Sequence, residues 1–360
     1  MKYHIITYGC QMNKSDSERI AGLLEDLEFK FSPSPEGADL LVINICSVRQ
    51  SAVDRVKSRI KNFAEFKIQN SKFKILLTGC ILKKDKREFR KYCNGIFAIN
   101  ELPELPALLK KLGFKIMEPD KKKNEHYLQI TPKYQSNISA CVPIMTGCNN
   151  FCSYCVVPYL RGQEVSRPAK DILREVKNLV KKGVKEIWLL GQNVNSYKPN
   201  FAKLLQEVND IEGDFWIRFT SSHPKDLSEE MIETFAKCNK AAPYFNLPIQ
   251  SGDNEILKAM NRPYAIKQYK VLVKKLKAAF KKYRRGLEKE LTLSTDVIVG
   301  FPGETKKQFK NTKKTFQEIG FIFTYISRYS PRRQTAASKL QDDVAPVEKK
   351  RRRKRINKNY

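Results

Sequence analysis

Apolar and polar positions along the chain follow two rhythms that take turns. Short runs of β-branched and aromatic residues, Tyr3–Tyr8, Leu40–Ile45 and Lys74–Thr78, each read as a buried strand. Between them Ser17–Phe29 carries Ile20, Leu23, Leu24 and Leu27 at helical spacing. Alternating strand and helix predicts a parallel sheet, because each crossover helix returns the chain to begin the next strand in the same direction. The alternation resumes over six further runs, Ala140–Thr146, Glu186–Gly191, Phe215–Ser221, Tyr244–Ile249, Leu291–Gly300 and Phe321–Tyr329. Among the helices between them, Lys170–Lys182 sets Ile172, Val176, Leu179 and Val180 on one face. Six such units predict a curved parallel sheet, a partial (βα)6 barrel. The whole is of the α/β class: an α/β domain over residues 1–118, a polar Lys-rich linker over 119–133, the barrel over 134–343 and a basic tail over 344–360.

The cysteines sit where this pattern is most informative. Gly147-Cys148-Asn149-Asn150-Phe151-Cys152-Ser153-Tyr154-Cys155 directly follows the first barrel strand, at the carboxyl end where barrels place their chemistry. Three thiolates on one short loop can hold three corners of a cubic iron–sulfur cluster and leave its fourth iron open to a small chelating ligand. Half of a zinc site is the alternative, but zinc takes four ligands. No second CxxC or nearby His completes such a site, the only histidines being His4, His126 and His223. A second trio is spread wider. Cys10, Cys46 and Cys80 each follow or end a strand of the first domain, and parallel topology brings such positions to one crevice. They are either ordinary strand-end packing residues or a second three-thiol metal site. Cys93, Cys141 and Cys238 have no partner at a ligand spacing and read as core or surface residues. His223, alone before a proline, reads as a turn or packing residue rather than a general acid or base.

CxxxCxxC with Tyr154 before its last cysteine resembles the signature of the radical S-adenosylmethionine (SAM) enzymes. The surrounding GCNNFCSYCVVPYLRGQEVSRP is similar to the methylthiotransferases, and most of all to the MiaB-type tRNA methylthiotransferases. Gly9-Cys10-Gln11-Met12-Asn13 with Asp16-Ser17-Glu18, and Asn44-Ile45-Cys46-Ser47-Val48-Arg49, resemble that family's amino-terminal motifs. Gly79-Cys80-Ile81-Leu82 keeps the cysteine and departs from the family afterwards.

The resemblance implies two 4Fe–4S clusters, one on Cys148, Cys152 and Cys155 and one on Cys10, Cys46 and Cys80. It implies two SAM per turnover, one split to a 5′-deoxyadenosyl radical and one methylating the inserted sulfur. The substrate implied is carbon 2 of an isopentenyl-modified adenosine in the tRNA anticodon stem-loop, a base that can be splayed out of its stack. A reductant such as flavodoxin or ferredoxin and a sulfur donor are implied partners. Polar residues at the other barrel strand ends fit SAM binding on the same resemblance: Gln192 and Asn193, Ser221, Gln250 and Asp296, with Tyr154 against the adenine. Each alone is an ordinary turn former. Related chemistries remain as alternatives, a RimO-like enzyme acting on a ribosomal-protein aspartate or one acting on threonylcarbamoyladenosine. A non-catalytic RNA-binding protein with structural metal is the alternative of a different class.

Composition adds a partner and a compartment. Sixty-eight Lys and Arg against 38 Asp and Glu give a net charge of +30, which suits a polyanion, although Lys, Ile, Asn and Phe are also frequent in AT-rich genomes. Nine cysteines, an odd number, argue against a disulfide framework. No apolar run reaches the roughly 18–20 residues that span a bilayer, and the opening MKYHIITYGCQMN has too short an apolar run before its polar residues to be a signal peptide, so a cytoplasmic protein is expected. The densest basic run, Glu348–Arg355, is either a grip on phosphates or a solvated helix. In the family such a helix leads into a small RNA-associated β domain, TRAM, and the resemblance stops where it would begin. Tyr329-Ser330-Pro331-Arg332-Arg333-Gln334-Thr335 also lacks the family's Pro-Gly.

Overall fold

A computed structural model describes residues 1–48, 50–117, 126–284 and 290–357. They form two compact units, Met1–Asn137 and Ile138–Tyr360. The first contains β1 (Lys2–Tyr8), β2 (Lys30–Phe31), β3 (Leu40–Cys46), β4 (Lys74–Cys80) and β5 (Gly95–Ile96), all parallel, in the order β2-β1-β3-β4-β5. The three expected strands are present. β2 and β5 are two-residue edges, too short for any period to announce. β3 is buried along its whole length. Its Leu40 and Val42 pack with Ile20, Leu24 and Leu102, while Leu41, Ile43 and Ile45 pack on the opposite face with Val53, Val56 and Ile60. The two-residue period of the strand divides its side chains between two helix layers.

The first helix runs Gln11–Asp26, beginning six residues before the expected start. Asn13, Ser15, Asp16, Ser17 and Glu18 are buried in that early turn, so polar contacts replace the apolar stripe that would have revealed it. Of the expected linker, residues 119–125 lie outside the described residues, as does Arg49 of the second motif. Tyr127, Leu128 and Ile130 are buried in the core of the first unit, so the chain packs there beyond residue 118.

The second unit holds β6 (Ser139–Pro143), β7 (Met145–Thr146), β8 (Val165–Ser166), β9 (Glu186–Leu190), β10 (Trp216–Phe219), β11 (Tyr244–Asn246), β12 (Thr292–Val299) and β13 (Phe323–Arg328). β6, β9 and β10 form one parallel segment and β11, β12 and β13 another, both in chain order as in a barrel. A parallel bridge between Ile217 and Ala241 joins the segments. Phe219 of β10 spans the same junction, meeting Phe245 of β11 edge-on at 5.4 Å, with Phe201 and Phe235 edge-on at 5.2 and 5.7 Å. The six runs expected as strands are therefore six strands, with one correction. Ala140–Thr146 divides at Ile144, and β7 turns out of the barrel to pair antiparallel with β8. Among the described residues no helix is long and apolar enough to cross a membrane.

Gly79 marks the tightest point of the first sheet. Its φ is +108°, and a Cβ there would lie 2.3 Å from the Ile45 carbonyl oxygen. Gly79→Ala is expected to cost at least about 1–3 kcal/mol from the left-handed backbone alone. Hydrogen exchange should accelerate in peptides covering β3 and β4, and unchanged protection there would contradict this packing.

Candidate metal centres

The carboxyl edge of the first sheet gathers the wider trio. Cys46 and Cys80 are register partners at the ends of β3 and β4, and Ser47 N–H donates to the Cys80 carbonyl at 2.7 Å. Cys10 lies two residues past β1, at the amino end of the first helix. β1 and β3 are the neighbours between which the strand order reverses, the switch point where open α/β sheets bind ligands. A hydrogen bond to Cys80, then burial, then the nearness of Cys80 and Cys10 push the Cys46 thiol far above its ordinary range. The three thiols thus share one electrostatic environment.

The loop carrying Cys10 is fixed from beneath. Asn13 Oδ1 accepts from the Cys10 N–H at 3.3 Å and faces its Sγ at 3.4 Å. Asn13 Nδ2 donates to Asn44 Oδ1, and Asn44 Nδ2 donates to the Asn13 carbonyl and to Ser17 Oγ, all within 3.0 Å. Thr7 Oγ1 closes the network on Ser17 at 2.7 Å. The polar residues of the GCQMN and NIC motifs are the pins that join β1, the first helix and β3.

In the second unit, β7 and β8 clamp the base of a loop that carries Cys148, Cys152 and Cys155. Gly147 opens it at φ +80°, where a Cβ would lie 1.9 Å from the Gln163 carbonyl oxygen, so only glycine fits. The Cys148 N–H donates to the Gly162 carbonyl, and Asn149 Oδ1 accepts from the Glu164 N–H at 3.1 Å. Ser153 docks the loop onto the 259–262 turn through its N–H to Met260 and its hydroxyl to the Ala259 carbonyl at 2.8 Å. Asn261 Nδ2 donates to the Phe151 carbonyl at 3.0 Å. Cys148 and Cys152 are buried and Cys155 is half-buried. Burial raises the Cys148 thiol and pushes Cys155 up to about 12.

Of the other expected strand-end residues, four follow neighbouring strands and one lies within a strand. Gln192 and Asn193 follow β9, Ser221 follows β10, Gln250 follows β11, and Asp296 is in β12. Ser221 and Gln250 both hold φ of +64°, a strained conformation that clusters at functional sites. Asn246 ties Ser221 to β12, accepting from the Ser221 N–H and donating to Ser294 Oγ and Asp296 Oδ2. Gln192 Oε1, Asn193 Oδ1 and Ser222 Oγ are buried polar atoms with no partner. The Tyr154 ring packs against Ile256, Met260, Phe301, Tyr329 and Ala337. Of the leftover cysteines, Cys141 and Cys238 are buried and Cys93 is half-buried. Periodicity gave no sign of Arg262, whose Nη1 reaches Cys152 Sγ at 3.5 Å.

Fold and loop define a class, the radical SAM enzymes, and residues 142–316 match the family described as "Radical SAM superfamily". Residues 2–98 match "Uncharacterized protein family UPF0004". Several curated relatives are named tRNA-2-methylthio-N(6)-dimethylallyladenosine synthase. The one from Carboxydothermus hydrogenoformans is 41% identical over 98% of this chain and 81% of its own, and the one from Alkaliphilus oremlandii is 41% identical over 99% and 77%. The chain belongs to the family of these synthases, the radical SAM methylthiotransferases. Among solved structures, the radical SAM methyltransferase TsrM from Kitasatospora setae, with cobalamin and a [4Fe-4S] cluster bound, superposes with a TM-score of 0.68. It is 12% identical over 94% of this chain and 74% of that one, a likeness of fold.

His223 gives this site a pH signature. It is buried, its Nδ1 accepts from the Lys225 N–H at 3.2 Å, and Nε2 has no partner. Burial, then the charges of Arg262 and Lys225, lower its pKa to about 2. An unfolded His titrates near 6.5, so the protonated ring is favoured by unfolding. Its contribution to stability is complete above about pH 6.5 and declines as pH falls, by up to about 1.4 kcal/mol per unit. His223→Gln is expected to lose stability less steeply than the parent between pH 6 and pH 4 in denaturant titrations. Parallel pH profiles would contradict the neutral buried ring.

Proposed function

We propose that this enzyme attaches a methylthio group to carbon 2 of isopentenyl-modified adenosine beside the tRNA anticodon, in the cytoplasm. The observation that carries the proposal is the three-thiol loop clamped at the carboxyl end of the first barrel strand, together with the names of the relatives. Two 4Fe–4S clusters, with two SAM per turnover, would supply a radical able to take hydrogen from an aromatic carbon and a sulfur to replace it. Cys148, Cys152 and Cys155 would hold the first cluster, and Cys10, Cys46 and Cys80 the second.

The donor sets fit these groups. Both are all-cysteine, which suits iron–sulfur ligation. The bond to Cys80 and then burial raise Cys46, and burial raises Cys148 and Cys155, which keeps these thiols neutral without a metal, so their thiolates require a bound cation. Among the described residues no three His, Cys, Asp or Glu side chains are gathered closely enough to grip a single metal ion. Each thiolate of a cubic cluster binds a different iron, so it needs a wider arrangement than zinc does.

SAM would lie on the strand-end residues. The unpartnered oxygens of Gln192 and Asn193 are acceptors suited to its amino group. Ser221 and Gln250 line the same edge, the Asp296 carbonyl of β12 accepts from the Gln250 N–H, and Tyr154 sits on the loop between Cys152 and Cys155. The basic protein surface would meet tRNA phosphates, while a one-electron reductant and a sulfur donor complete the reaction.

Mass spectrometry of tRNA nucleosides from cells with and without the gene tests the proposal; loss of the 2-methylthio nucleoside is expected on deletion. An unchanged tRNA profile with a changed ribosomal-protein mass would favour a protein substrate instead. In the anaerobically reconstituted enzyme, Cys148→Ala should reduce deoxyadenosine formation to background. Cys10→Ala should preserve deoxyadenosine formation and abolish methylthiolated product. Normal product from Cys10→Ala would remove the second trio from the reaction.

A further inference from the structure

The 259–262 turn does more than hold the cluster loop in place. Arg262 is 7% exposed, beside Cys152 at 8%. Its Nε donates to Tyr264 Oη at 3.0 Å and Nη2 to the Pro248 carbonyl at 2.9 Å, which leaves Nη1 on Cys152 Sγ at 3.5 Å. The Tyr264 ring lies 5.2 Å from the guanidinium carbon, and its hydroxyl is anchored on the Ile249 carbonyl at 2.9 Å. Among the described residues no carboxylate forms an ion pair with Arg262. A guanidinium taken out of water costs several kcal/mol unless an opposite charge compensates it. Neutral carbonyl and hydroxyl acceptors do not supply that charge. Cys152 does, once it is a thiolate.

We propose that Arg262 is a positioning residue that donates a charge-assisted N–H···S bond to the Cys152 thiolate and so raises the reduction potential of the cluster held there. The inference rests on the assignment of Cys148, Cys152 and Cys155 as cluster ligands. Hydrogen bonds to the cluster sulfurs and the local net charge are two of the determinants of iron–sulfur potentials. Reduction adds one negative charge to the cluster, and a fixed cation beside a ligand sulfur stabilises the reduced form more than the oxidised one. His223, edge-on to Tyr264 at 5.8 Å, stays neutral and adds no second cation. Arg262 is rigid because the anchored Tyr264 hydroxyl and the Pro248 carbonyl fix two arms of its planar fork. Lysine, a flexible point charge, cannot reproduce that geometry.

The test uses the full chain with Cys10, Cys46 and Cys80 replaced by Ala, so that one cluster contributes to the spectra. Iron content is counted first, and a parent without four irons would defeat the ligand assignment rather than this inference. Without SAM, the EPR-monitored midpoint potential under dithionite titration should shift to more negative values in Arg262→Gln, with Arg262→Lys in between. A four-iron Arg262→Gln with the parent potential overturns the proposal, as does a variant that loses SAM binding alone. Should Arg262→Gln fail to assemble a cluster, the parent grown with 15N-arginine decides. Its reduced, SAM-free cluster should show a weak 15N coupling in spin-echo spectra, and the absence of that coupling overturns the bond.

Discussion

Strand direction is the constraint on which both sites depend. A parallel sheet sends the residue after each strand to one edge, and only there can cysteines 30 or more positions apart share a metal. The apolar layers enforce that direction. β3 buries Leu40 and Val42 on one side and Leu41, Ile43 and Ile45 on the other, so a one-residue slip of register would exchange its two faces. The register in turn sets Cys46 against Cys80. In the second unit the order of the six strands follows the chain, and the Phe219–Phe245 contact holds the two segments in line where, among the described residues, a single isolated bridge joins them.

The same edge concentrates what a stable core avoids. Ser221 and Gln250 sit in left-handed backbone, and Gln192, Asn193, Ser222 and His223 bury polar atoms without partners. Conformations of this kind cost of order 1–3 kcal/mol each, and an unsatisfied buried polar atom costs about as much. Surrounding structure has to offset such terms, and the edge-to-face phenylalanines and the dry faces of the strands are where it does so. The first sheet follows a different rule. Beneath Cys10 the amides of Asn13 and Asn44 satisfy each other, so the loop is held by a completed network rather than left open.

Much of this was legible in the sequence because its cause is local. The strands were visible as apolar runs, and both cysteine trios as positions relative to those runs. What stayed hidden depends on contacts between distant residues. Arg262 lies 110 positions from Cys152 in the chain, and nothing in its own segment marks it as a partner of a thiol. Asn246 is one polar residue in an apolar strand until Ser221 and Asp296 are placed around it. The β7–β8 clamp was hidden for another reason: apolar residues continue through Ile144, while the chain changes partners there.

Charge is the property that the sequence overstates. The run Glu348–Arg355 reads as a block of cations available to a polyanion, yet the helix Pro346–Asn357 turns part of it inward. Arg352 is buried, donating to both Glu304 Oε2 and the Glu304 carbonyl, with its guanidinium over the Phe309 ring. Lys349 is buried on Asp342 and the Tyr329 carbonyl. Removing one partner from a buried pair leaves an uncompensated charge, so these two cations belong to the fold of the second unit. Lys350, Arg353, Lys354 and Arg355 are exposed. Only exposed cations can displace counterions from phosphates, so the salt dependence of RNA binding should track these four and not the whole run.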